Sequence, residues 1–109
     1  MTERPEIALA TPADRDVVLP LFSAQLAEHG IAPPGGPAAL ARAVQAVLDG
    51  SAPGFCLVAR VDDRGVGVAY VSLIWSLEHA GLSAWLDELY VLPEARNRGI
   101  GTKVRCIRK

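Results

Sequence analysis

The residues best suited to chemistry lie in the run Leu92-Pro93-Glu94-Ala95-Arg96-Asn97-Arg98-Gly99-Ile100-Gly101-Thr102-Lys103. An apolar strand-like run leads into it, glycines sit at its bend, and Ile100, Val104 and Ile107 then fall at helical spacing. A strand, turn and helix in this order aim several unpaired backbone N–H groups and the positive end of a helix at one point, which favours an anion such as pyrophosphate. Gly99 and Gly101 permit unusual dihedrals and a close approach of phosphate oxygens to the backbone. Arg96 and Arg98 would add charge-assisted donors. Two competing phosphate motifs fail on the letters. A P-loop needs four residues between its glycines followed by Lys-Ser/Thr, and a dinucleotide fingerprint needs glycine where Val104 stands. A plain glycine turn before a helix stays open as the alternative.

Immediately upstream, Asp87 and Glu88 form a pair of adjacent carboxylates inside a strand-like run. Strand alternation puts them on opposite sheet faces, so only one should point into a site unless a bulge intervenes. Solvated strand charges are the alternative. Other reactive residue types are isolated. Cys56 and Cys106 have no Cys-x-x-Cys partners and read as unreactive thiols, with no disulfide framework and no metal site. His29 and His79 stand singly in loops. Trp75, Trp85 and Tyr70 read as core or sheet-surface aromatics.

The elements that must position these groups follow from periodicity. Residues 6–10 alternate as a short strand. Thr11-Pro12-Ala13-Asp14 has the hydroxyl cap, first-turn proline and carboxylate of a helix start, and Val18, Leu21, Phe22 and Leu26 make one apolar face. Pro20 implies a bend near Asp16. After a loop at 29–37, residues 38–49 read as a second amphipathic helix stopped by Gly50. Residues 55–61 and 66–75 read as strands of a hairpin around Asp62-Asp63-Arg64-Gly65, and 84–91 as a fourth strand. The order is therefore βααβββ, with a helix barely begun at the end, in an α+β domain with an antiparallel sheet.

Composition limits the functions open to such a domain. With 109 residues, 50% hydrophobic and 21% charged, the chain supplies one globular core. A net charge of -1 provides no basic field for nucleic acid or an anionic membrane. The first five residues carry no signal-like run, and no segment approaches a membrane span, so a cytoplasmic protein is expected.

The run Leu89 to Gly101 resembles motif A of the GNAT acetyltransferases, Val-x-Pro-x-x-Arg-x-x-Gly-x-Gly/Ala, at every fixed position. The opening and the element order resemble the same superfamily, the likeness extending over residues 6 to 104. That resemblance implies an N-acetyltransferase using acetyl-CoA as co-substrate and acting on a primary amine of a small molecule or protein. It places Leu89, Tyr90 and Val91 against the pantetheine and acetyl group, with the Val91 N–H as oxyanion donor. It puts Asn97, Arg98, Gly99, Ile100, Gly101 and Thr102 around the pyrophosphate, with Arg96 at a position the family fills with Gln or Arg. Glu88 or Asp87 would be the catalytic carboxylate, attracting a cationic amine and relaying its proton through water.

The resemblance also implies a single GNAT domain over residues 1–109 whose C-terminal part is absent, since the family continues through a fifth strand and a further helix. Four of the last seven residues are basic, unlike the family's usual Ala/Leu-rich helix. A fourth strand with an open edge would favour a homodimer through that edge. A non-catalytic CoA-binding domain, or an inactive remnant, is the alternative from another class.

Overall fold

The computed structural model describes residues 5–96 and Gly99. Strand β1 is Glu6–Leu9, followed by a 3-10 turn at Pro12–Asp14, helix α1 at Arg15–Glu28 and helix α2 at Gly36–Leu48. Strands β2 (Gly54–Val61), β3 (Arg64–Ser76) and β4 (Gly81–Val91) come next, and Pro93–Ala95 form a second 3-10 turn. The strands make one sheet in the order β1-β2-β3-β4, each neighbour antiparallel to the last. This is the α+β arrangement that the periodicities imply.

Local chemistry accounts for the joints. The Thr11 N–H donates to Asp14 Oδ2 at 2.8 Å, and Arg60 of β2 donates to Asp14 Oδ1 at 2.7 Å, so one carboxylate both caps the helix entrance and ties it to the sheet. Helix α1 runs on through Pro20. The turn between β2 and β3 is tighter than its sequence suggests. Val61 pairs with Arg64 and only Asp62 and Asp63 intervene, both with positive φ, as a two-residue turn of the I′ kind requires. Gly65 lies beyond the turn, inside β3, because α1 passes over it: a Cβ there would come within 2.2 Å of Val17 Cγ1.

Both helices lie on one sheet face. Val18, Leu21 and Phe22 of α1 and Val44 and Leu48 of α2 are buried against Cys56, Val58, Val68 and Tyr90 of the strands. Fully burying a side chain such as Val18 is worth roughly 1.5–3 kcal/mol, so this layer is a substantial source of stability. The opposite face is lined by Ile7, Phe55, Leu57, Ala69, Leu86 and Leu89.

Candidate active site

Helix α1 presents Val18, Leu21, Phe22 and Gln25 as its buried residues, at the i, i+3, i+4, i+7 spacing of one face. Gln25 is therefore a polar residue in a core position, 4% exposed, and its burial needs a partner. That partner is Glu88: Gln25 Nε2 donates to Glu88 Oε1 at 3.0 Å. Glu88 stands opposite Tyr70 in the β3–β4 ladder, on the face that carries Val68 and Tyr90. Between α1, α2 and these strands lies a cavity of about 390 Å³, walled by Phe22, Leu40, Val44 and Val47, with Gln25, Cys56, Tyr70 and Glu88 as its polar members.

A β-bulge decides how the two carboxylates are placed. Tyr70 pairs with Glu88 and Val71 with Leu86, so Asp87 is the extra residue of β4. Glu88 is partly buried and lines the cavity, whereas Asp87 is exposed. Burial, and then the charge of Asp87, hold the Tyr70 phenol above its ordinary pKa. That phenol donates to the Pro53 carbonyl at 3.1 Å. Burial pushes the Cys56 thiol up to about 11, so it is protonated at neutral pH and a poor nucleophile. Among the described residues, no group of three or more His, Cys, Asp or Glu side chains could hold a metal ion.

Past Glu88 the strand turns its backbone groups in alternate directions. The Leu92 N–H donates to Val66 O at 2.8 Å, toward β3, so Val91 directs its N–H and C=O to the outer edge of β4. Arg96 occupies part of that edge. Its Nε donates to the Val91 carbonyl at 2.9 Å, its Nη2 bonds both Glu28 oxygens at 2.9 and 2.8 Å, and its guanidinium lies 5.6 Å from the Tyr90 ring centroid. The Arg96 hydrogen bonds hold Glu28 below its usual carboxylate range, and the same bonds raise Arg96 further. Arg96 is thus engaged in clamping the end of α1 to the end of β4. Gly99 has φ +76°, a conformation that favours glycine. Asn97, Arg98, Ile100, Gly101 and Thr102 lie outside the described residues.

A family profile described as the acetyltransferase (GNAT) family matches residues 24–104. The chain belongs to the GNAT acetyltransferase family. Its sheet and helices superpose on solved members. A possible acetyltransferase from Clostridium difficile 630 gives a TM-score of 0.82 at 25% identity, covering 94% of this chain and 67% of that one. A predicted acetyltransferase from Clostridium acetobutylicum, solved with acetyl-CoA, gives 0.78 at 18% identity, covering 95% and 70%. An aminoglycoside N-acetyltransferase in complex with CoA gives 0.72 at 15% identity, covering 98% and 68%. The last two likenesses speak to fold alone. No curated protein matches the chain. Among the described residues, no helix of this GNAT chain is long and apolar enough to cross a membrane.

Sequence reasoning named Glu88 together with Asp87 but missed the residues that hold and surround Glu88. Gln25 carried a readable signal, being the one polar residue on the buried stripe of α1. Tyr70 and Cys56 carried none, because only the sheet register brings them beside Glu88.

Proposed function

We propose that this GNAT chain transfers the acetyl group of acetyl-CoA to a primary amine by direct attack in a ternary complex, with Glu88 as the base. The observation that supports this most is Glu88 itself: a carboxylate oriented by Gln25 at the margin of an apolar cavity, one residue before the strand segment Leu89-Tyr90-Val91. Glu88 first attracts the ammonium group and then, directly or through a water, takes up its proton. The neutral nitrogen attacks the thioester carbonyl carbon, the C–N bond forms, the C–S bond breaks, and the thiolate leaves to be protonated as free CoA. The outward Val91 N–H is the group suited to stabilise the oxyanion. Asp87 adds negative potential at the mouth without touching the reacting atoms. The glycine-containing run from Asn97 to Thr102 would hold the pyrophosphate. Self-pairing through the outer edge of β4 would compete with acetyl-CoA for the Val91 N–H, so acetyl-CoA should dissociate any dimer that sedimentation equilibrium detects at micromolar concentration.

The test is calorimetric titration with acetyl-CoA, followed by thiol release over a panel of primary amines. Glu88→Gln should lower the rate about 100-fold while changing acetyl-CoA affinity little. Gly101→Val should abolish acetyl-CoA binding with an unchanged far-UV spectrum. Acetyl-CoA binding without thiol release for any amine would favour the non-catalytic CoA-binding alternative.

A further inference from the structure

We infer that the acceptor is a small primary amine with an apolar body, an arylalkyl or branched alkyl amine, and not a polyhydroxylated or acidic one. The inference rests on the acetyltransferase reading and concerns which amine the cavity takes. Three features of the lining carry it.

The walls are hydrocarbon: Phe22, Leu26, Leu40, Val44 and Val47 face the space from both helices. A volume of about 390 Å³ sits near the small end of small-molecule sites, which span roughly 300–1,000 Å³.

The polar groups among the described lining residues are few and partly engaged. The Gln25 amide donates to Glu88 and the Tyr70 hydroxyl donates to the Pro53 carbonyl. The Cys56 thiol is a weak donor. A sugar ring bringing several hydroxyls into this space would lose their hydration with few partners in return. Aminoglycoside acetylation, which a structural neighbour performs, therefore does not transfer to this cavity.

The charge is one-signed. Glu88 lines the cavity, Asp87 lies close enough to act on Tyr70, and among the described residues no lysine or arginine lines it. A cationic head is attracted and a substrate carboxylate is repelled. Gln25 engages Glu88 through Oε1, and among the described residues no group bonds Oε2, which leaves that oxygen to receive the ammonium.

The experiment measures kcat/KM by thiol release for propylamine, butylamine, 3-methylbutylamine, 2-phenylethylamine, glucosamine and a short peptide with an apolar N-terminal residue. Calorimetry with acetyl-CoA alone runs alongside. The expected result is a rise of roughly fourfold per added methylene, and 2-phenylethylamine at least tenfold above glucosamine. Ala43→Phe, at an exposed α2 position on the cavity rim, should lower kcat/KM for 2-phenylethylamine about tenfold and leave acetyl-CoA affinity unchanged. Glucosamine or the peptide matching the apolar amines would overturn the inference and leave the acetyltransferase reading standing. Absence of both acetyl-CoA binding and thiol release would overturn that reading and the inference with it.

Discussion

At the open end of the β3–β4 hairpin Val66, Val68 and Tyr90 are 7% exposed or less, whereas near its turn Trp75 is 73% and Leu77 89% exposed. The two ends belong to the same pair of strands and carry equally apolar residues, so hydrophobicity does not separate them. Length does. Helix α1, with 14 residues, extends roughly 21 Å, while the 13 residues of β3 extend roughly 43 Å. On its own face the helical layer ends before Ile74 and Trp85, while Trp75 and Leu82 lie on the opposite face with Ala69 and Leu86, which neither helix covers. The candidate site sits where cover ends. There the bulge at Asp87 interrupts the ladder, Tyr70 and Glu88 meet across it, and Ser72 Oγ is buried with no hydrogen-bond partner among the described residues. Polar chemistry has been placed at the boundary, where the core no longer excludes it and bulk water does not yet swamp it.

The sharpest way to break the comparison is to place the same charge at the covered end and then at the open one. Val68→Asp buries an unpaired carboxylate at a residue 1% exposed and should cost about 4 kcal/mol or more in urea unfolding. Leu82→Asp, at a residue 64% exposed, should stay within about 0.5 kcal/mol. Equal losses would mean that the uncovered end is packed in solution.

Deleting Asp87 tests the boundary next. Removal makes the ladder regular and keeps every other β4 residue on its face, but re-aims Glu88. Turnover should fall about 100-fold, whereas Asp87→Asn, which keeps the bulge, should change it less than threefold. An equally large fall in both variants would mean that the charge of Asp87 matters and its geometry does not, and no fall in either would mean that neither does.

A smaller effect is expected where the helix entrance is tied to the sheet. Asp14→Asn removes the carboxylate bonded by Thr11 and Arg60 and should cost about 1 kcal/mol at pH 7. The Thr11 backbone hydrogen bond, then Arg60, hold Asp14 below its ordinary value of 3.8. A depressed folded-state value means this stability is present above pH 3.8 and is lost as pH falls through the folded-state value. The gap between wild type and variant should therefore close in acid, and a gap constant from pH 7 to pH 2 would exclude the carboxylate as its source.

Smallest of all is Trp75→Ser, which should move the unfolding midpoint hardly at all while reducing binding of the dye ANS. Unchanged dye binding would locate the apolar surface elsewhere.

Much of this molecule was legible in its residues. The alternation at 6–10 and 55–61, the cap at Thr11 to Asp14 and the heptad-like face of α1 each report a local preference, and the folded elements fall within a few residues of those expected. The family signal in the stretch from Val91 to Gly101 was legible as well, and the family match over residues 24–104 agrees with it. Three things were decided by the tertiary structure alone. Arg96 reads in sequence as a free donor beside the phosphate turn, yet it is taken up by Glu28, a residue 68 positions away. Asp87 and Glu88 are equivalent letters in a strand, and only the register of β3 against β4 makes one a bulge and the other a cavity wall. Gln25 meets Glu88 across 63 positions because α1 crosses β4 where it does. Local backbone preference sets elements and turns; which side chains meet depends on strand register and helix placement, which are settled by the total burial of the fold and not by any neighbouring residue.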